Sequence, residues 1–492
     1  MGSLSSSIRV CGWEVRSRTF LAVAVLFLLL YYAVLLSNGT FWLLRPVQWG
    51  LTFNSMAANL FEGRFDVDPL AIGAEGFVHG GRTYAYFGIF LAVLRAPLVV
   101  FRGLLTTDVT ALSCLVATCV MSFLKLATLS EIYHSGQTGS PSTRLFWPMA
   151  LTLALGGAQI QFLKPSIYQE VCSWGGAIAA AFVYCCVRGL VARREFTNWL
   201  LALMAGLVGL AFLTRVSIGV GLGAAYGLLL LILSYQGLTR AGWSIDAVGA
   251  QVRRFVWPLT ILLVLVLGTG LVNYQRWGNP LTFVDLSQHL MNARYPDRLV
   301  RLERYGAFNI ARLWFGTLYY FVPIWIFTRS DGHFLFYERQ HELIDTAELP
   351  PSTFVLSDPL LLGLCGVLFL RCARRQRRVV DSSQSLALLL GLSTAPFLIL
   401  MASYMAFRYR IEFYPVLELG AFVGLSVEGG AAAPVTSRFV RAAWVAATLG
   451  IIASHGLLIL YKISPAGGAL EFIGPAGVLA FYRDLVLARI AG

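Results

Sequence analysis

The sequence predicts an all-α polytopic membrane protein, and two observations carry that prediction. Hydrophobic residues make up 57% and charged residues only 13% of 492 residues. That is too little charge to cover the surface of a soluble domain of this size. Apolar stretches also recur from end to end, each long enough, or nearly so, to cross a hydrocarbon core of ~30 Å as a helix. They fall at 19–36, 109–132, 145–163, 170–191, 199–214, 217–236, 255–272, 355–370, 384–404, 411–428 and 438–461.

The net charge of +13 is mostly Arg held in short loops between apolar stretches, a membrane pattern and not a nucleic-acid one. The groups are Arg188, Arg193, Arg194; Arg240, Arg253, Arg254; and Arg371, Arg374, Arg375, Arg377, Arg378. Placing each on the cytoplasmic side orients every span. The first stretch, flanked by Arg9, Arg16 and Arg18 and lacking a small-residue cleavage site, reads as a retained anchor with the N-terminus inside. The threading closes with about eleven spans and an external C-terminus.

Two apolar pieces, 84–103 and 306–328, must then start and end outside. Tyr84, Tyr86, Arg95 and Arg102 make the first an interfacial helix, and Arg312, Trp314, Tyr319 and Tyr320 do the same for the second. Treating both as spans gives the competing count of thirteen. The chain thus reads as one transmembrane domain, 1–492, with a first external loop with juxtamembrane helices at 37–108 and a second external region at 273–354. Eight Cys lie near the N-terminus or within and beside apolar stretches, so no external disulfide framework is expected.

Polar residues near the membrane faces are the candidates for chemistry. In the first loop, Asp66 and Asp68 follow the helix stop at Gly63. Two carboxylates at that spacing suit a general base or a shared divalent cation. Asp before Pro is also ordinary turn chemistry. Lys164, Tyr168 and Glu170 lie at an external helix junction, where Lys164 suits an anion and Glu170 suits a helix N-terminus. Arg215 sits in a tight turn at membrane depth, a costly place unless paired or facing a cavity. Arg408, Arg410 and Glu412 are dense charge where no positive-inside bias predicts it. Two guanidinium groups two residues apart suit a phosphate, because each offers forked donors. An aromatic and Arg belt at the interface is the plainer reading. Trp277, in a turn with Gly278 and Pro280, suits stacking on a sugar or anchoring at the interface. The six His are scattered, and no zinc, triad, Walker or dinucleotide motif is present.

The order of these segments carries a resemblance. "NLFEGRFDVDP" and "GRTYAYFGIFLAVLRAPL" are followed by "KPSIYQE", "GLAFLTRVSIG", "NYQRWGNPLTF" and "FRYRIEFYPVLELG". Over roughly 19–430 the chain resembles the GT-C superfamily of integral membrane glycosyltransferases. It is similar to bacterial members near the protein O-mannosyltransferase and aminoarabinose transferase group. The resemblance implies a sugar donor on a polyprenyl phosphate and inverting transfer at the outer face of the bacterial inner membrane. It also implies a glycan, lipid or protein acceptor and a catalytic carboxylate in the first external loop. The paired acidic motif of many relatives has no counterpart at Gln48-Trp49-Gly50, so Asp66 and Asp68 are the nearest substitutes. A transporter or flippase of a lipid-linked or anionic solute is the alternative, as is a non-catalytic subunit of an envelope-glycan complex. No nucleic-acid partner and no resident cofactor is expected.

Overall fold

The computed structural model describes residues 7–10, 13–134, 143–192, 195–323, 329, 331, 333, 337–373, 382–428, 436–465 and 477–491. An antiparallel pair, β1 (Ser7–Val10) and β2 (Trp13–Arg16), leads into α1 (Ser17–Ser37). The first loop holds α2 (Thr52–Phe61), α3 (Pro69–Ile72), the pair β3 (Phe77–His79) and β4 (Arg82–Tyr84), α4 (Phe90–Leu94) and α5 (Ala96–Val100). A run of helices follows: α6 (Thr110–His134), α7 (Phe146–Leu155), α8 (Gly157–Gln161), α9 (Ile167–Val187), α10 (Asn198–Phe212), α11 (Val216–Ala241) and α12 (Ile245–Trp277).

The second loop holds α13 (Leu290–Arg294), α14 (Pro296–Tyr305), α15 (Leu313–Phe321), α16 (Tyr337–Leu343) and β5 (Thr346–Ala347). Then come α17 (Phe354–Ser357), α18 (Pro359–Ala373), α19 (Ser382–Leu392), α20 (Thr394–Leu400) and β6 (Tyr404–Met405). The chain continues through α21 (Tyr414–Glu428), α22 (Ser437–Ile463) and α23 (Gly477–Ala491).

The protein is a helical integral membrane protein. Among the described residues seven helices are long and apolar enough to cross a membrane: Thr19–Ser37, Thr110–Tyr133, Ile167–Ala192, Val216–Ala241, Ile245–Trp277, Ser383–Leu400 and Ser437–Ile463. Four of the expected spans are shorter or interrupted. α10 and α21 each have 15 residues. The stretch 145–163 breaks between α7 and α8, where Gly157 has φ +59° and a Cβ would meet Asp358 Oδ1 at 3.0 Å. Only glycine is comfortable there. The stretch 355–370 breaks at Asp358, because Pro359 cannot donate into a preceding turn and starts α18 instead. Most of the Arg371 to Arg378 cluster, together with Arg193, Arg194 and 324–328, lies outside the described residues.

The stretch 84–103 is not a single interfacial helix. It is the end of β4, a bend, and the two five-residue helices α4 and α5, restarted by Pro97. Its counterpart 306–328 contributes only the short α15 and the 3₁₀ turn Ile310–Arg312 before it.

Helices pack closely where glycine removes a side chain. A Cβ on Gly391 of α19 would lie 2.2 Å from the Ala225 backbone of α11, and one on Gly424 of α21 would lie 2.3 Å from Leu364 O of α18. Charge is also buried inside the bundle. Lys125 of α6 pairs with Glu418 of α21 at 2.5 Å and donates to Gln159 of α8 at 3.0 Å.

One end of the bundle gathers both long loops. There Phe90 N donates to Leu213 O at the end of α10, and Arg276 of α12 donates to Phe87 O. The two loops meet where Leu290 N donates to Gly76 O, beside a bridge between Phe77 and His289. The second loop also pairs with the chain after α20, with β5 parallel to β6.

Candidate functional site

The 3₁₀ turn Phe407–Glu412 enters α21 at the loop end and carries three of the candidates. Arg408 Nη1 donates to Glu348 Oε1 at 2.8 Å, and Glu348 Oε2 accepts from Phe407 N. The guanidinium lies 4.3 Å from the centre of the Tyr168 ring and within 5.5 Å of those of Tyr404 and Tyr409. A cation framed by aromatic faces stays charged with little water around it. Burial opposes that charge, but Glu348 and the surrounding tyrosines outweigh it and hold the pKa well above its usual value.

Glu75, which the sequence did not single out, reaches the same place from the turn before β3. It interacts with Tyr168 and lies 3.7 Å from His289 Nε2. His289 is stacked on Phe77 with ring centres 4.5 Å apart. Burial pushes the Glu75 carboxyl up, yet His289, Tyr168 and the Arg408 charge together hold it below its usual 4.5. It is therefore an ionised carboxylate at neutral pH. A single phenol, Tyr168 of α9, thus touches both Glu75 of the first loop and Arg408 of the late turn.

Arg215 and Glu412 form the next layer. Arg215 approaches Glu412 Oε1 at 2.6 Å from Nη2 and 2.7 Å from Nε, and Ser217 Oγ donates to the same oxygen. Arg215 also sits over the Tyr409 ring at 5.2 Å. The cost expected for Arg at membrane depth is met by this pairing.

Arg410 does not accompany Arg408. Its side chain has no exposed surface and is held by Asp358 at 3.3 Å, by Ser352 and Ser357, and by the Phe354 ring at 4.0 Å. Two residues of a tight turn project to different sides, so the twin-guanidinium arrangement expected from the spacing is not formed.

Glu170 is likewise enclosed. It is fully buried and bonded to Arg95 at 2.6 Å, while Arg95 Nε donates to Asn54. This ties α2 and the α4–α5 junction to α9. Trp277 is only 7% exposed, packed on Phe77 and Tyr84, so its ring serves the contact between the loops. Lys164 donates to Tyr461 O at 2.9 Å, and burial pulls its pKa down, partly offset by Glu348.

Asp66 and Asp68 contact neither Arg408 nor Tyr168. Asp66 Oδ2 accepts from Arg64 at 2.9 Å, and its Oδ1 is buried without a partner. Asp68 is exposed and caps α3 through Leu70 N at 2.8 Å. Among the described residues no three His, Cys, Asp or Glu side chains converge as metal ligands.

The sequence reading also missed Asp108. Its carboxylate accepts from Val47 N and Thr110 N, closing the first loop at its base. A Cβ on Gly50 would overlap that carboxylate, at 1.8 Å. An acidic group thus does stand beside Gln48-Trp49-Gly50, supplied from 58 residues downstream of Gly50.

No family model and no curated protein matches the sequence. Solved structures with a similar course exist. The oligosaccharyltransferase of Archaeoglobus fulgidus in the apo form aligns with TM-score 0.46 and 14% identity, over 90% of this chain and 56% of that one. The archaeal oligosaccharyltransferase AglB from the same organism, in complex with an inhibitory peptide and a dolichol-phosphate, gives 0.44 and 14%, over 90% and 55%. The chain spans about half the length of the solved structures it matches.

Proposed function

We propose that the protein is a membrane glycosyltransferase that takes a sugar from a polyprenyl-phosphate donor. The observation that carries this reading is the Glu75–Tyr168–Arg408 arrangement: an ionised carboxylate and a half-buried guanidinium that share one phenol, where both loops meet the helix ends. The order of sequence motifs supports it independently.

Arg408 uses one N–H on Glu348 and keeps other donors of its fork for a phosphate. The acceptor hydroxyl attacks the anomeric carbon from the face opposite the phosphate. The new C–O bond forms as the bond to the phosphate oxygen breaks. The polyprenyl phosphate leaves with the electron pair beside Arg408, and the acceptor's proton passes to Glu75. A carboxylate placed for that proton contributes on the order of 10²–10⁴-fold. Glu75 takes the role the sequence assigned to Asp66 and Asp68, one oxygen of each being held by Arg64 and by the α3 cap.

In this reading the loops 37–108 and 273–354 form the reaction chamber on the outer face of a bacterial inner membrane, with the N-terminus cytoplasmic and the C-terminus external. Arg188, Arg240 and Arg371 lie near helix ends remote from the chamber, as cytoplasmic charge should. The test is release of free polyprenyl phosphate from a panel of polyprenyl-phosphate sugars by the purified protein in vesicles. Glu75→Gln is expected to lose release at least a hundredfold, while Asp68→Asn keeps it. Full release by both Glu75→Gln and Arg408→Ala would overturn the assignment.

A further inference from the structure

We infer that Lys164 and Lys462, with the side chain of Asn38, form a binding site for the phosphate ester of a lipid at the loop end of the bundle. Lys164 precedes α9, and its ammonium rests on Tyr461 O and over the Tyr461 ring at 4.5 Å. Lys462 is the next residue of α22, and it donates to Leu35 O and to Asn38 Oδ1 at the end of α1. Three chain segments therefore bring two cations to one place.

Neither lysine has a carboxylate within 4 Å among the described residues, whereas Arg95, Arg215, Arg408 and Arg410 each have one. Carbonyls at helix C-termini account for one bond to each ammonium, a common use of lysine. They do not account for two half-buried cations brought to the same end of α22, one on the Tyr461 carbonyl and one on the residue that follows it, where like charges repel. Among the described residues three partners meet the six N–H donors the two ammonium groups offer. An anion with several oxygens fills the remainder and cancels the repulsion.

Position selects the class of anion. The C-terminal ends of two membrane-length helices, Thr19–Ser37 and Ser437–Ile463, lie at this level, which is headgroup depth in a bilayer. On α22, Leu449, Ile452 and Ile459 are exposed and share one helix face below Lys462. That stripe gives an acyl or prenyl chain a surface to follow while its phosphate sits on the lysines. The inference needs a lipid phosphate and not the transfer reaction, so it stands or falls separately from the reading of Glu75 and Arg408.

The test uses the full chain in detergent, with its thermal midpoint read while phosphatidylglycerol, a polyprenyl monophosphate, the matching polyprenol, or inorganic phosphate is added. Phosphate-bearing lipid is expected to raise the midpoint and polyprenol is not. Lys164→Gln combined with Lys462→Gln is expected to weaken the apparent affinity roughly tenfold or more, in line with the loss of charge-assisted contacts. A response to polyprenyl phosphate above phosphatidylglycerol marks a carrier-lipid site, and the reverse marks a bilayer-lipid site. Either supports the inference. Lys164→Arg with Lys462→Arg keeps both charges and should keep the response. If the double Gln variant does not fold, Lys462→Gln alone and the comparison of polyprenol with its phosphate decide. An equal response to polyprenol, no response to either phosphate lipid, or an unchanged response in the Gln variants overturns it. Arg408→Ala should abolish transfer and leave the response to phosphatidylglycerol in place.

Discussion

Asp358 and Arg410 form an ion pair with no exposed surface, at the junction of α17 and α18 with the turn that precedes α21. Tyr414 donates to the same Asp358 oxygen at 3.0 Å. The pair anchors the turn whose earlier residue, Arg408, faces Tyr168. Removing one partner strands the other charge in the interior. Arg410→Ala should cost about 3–5 kcal/mol of stability. The double change Asp358→Asn with Arg410→Met should cost less than Arg410→Ala alone. Thermal unfolding in detergent compares them, and equal losses would show that the pair is not coupled.

Two glycines on membrane helices should respond oppositely to alanine. Gly391→Ala forces α19 away from the Ala225 backbone and should destabilise by about 1–3 kcal/mol or more. Gly363, within α18, has nothing within 4 Å of a built Cβ, so Gly363→Ala should be neutral or stabilising by about 0.5–1 kcal/mol. The same melting assay reads both, and a loss at Gly363 comparable to that at Gly391 would contradict the packing described.

Glu75 should leave a signature in acid. Its folded pKa lies below the usual 4.5. A depressed carboxyl adds stability that is fully present above 4.5 and fades as pH falls through the folded value. The stability difference between the wild type and Glu75→Gln should therefore shrink as pH is lowered below about 4.5. A difference that stays constant from neutral pH into that range would contradict the carboxylate's setting between His289, Tyr168 and Arg408.

At Arg408, charge and geometry can be separated. Arg408→Ala should weaken binding of a polyprenyl-phosphate sugar by one to two decades, from the loss of about 1.5–3 kcal/mol in a charge-assisted contact. Arg408→Lys keeps the charge but loses the planar fork and its stacking on Tyr168, so it should fall between the two. Donor affinity measured by titration in nanodiscs ranks the three. Equal affinity in all of them would remove the phosphate from this site.

Orientation is open to labelling. Single Cys residues at Gly80 and Leu281, both exposed in the two long loops, should react with an impermeant thiol reagent on intact cells. One at exposed Trp243, between α11 and α12, should not. The reverse pattern would turn the protein over and place the loops inside.

Composition and the spacing of apolar stretches determined the class of this protein and the position of its long helices, because the bilayer imposes a length and an apolarity that can be read one residue at a time. They also exposed the dense charge at 408–412. Local spacing did not determine which charges face one another. Arg408 and Arg410 look equivalent along the chain, yet one meets Tyr168 and the other Asp358. Asp66 and Asp68 look like a catalytic pair, yet Arg64 and the α3 cap engage them. Glu75 carries no local signal, and only the docking of the two loops brings it to His289, 214 residues away. A buried charge is tolerated only beside its partner, and that partner comes from a distant segment, so the tertiary structure alone decided which charges meet.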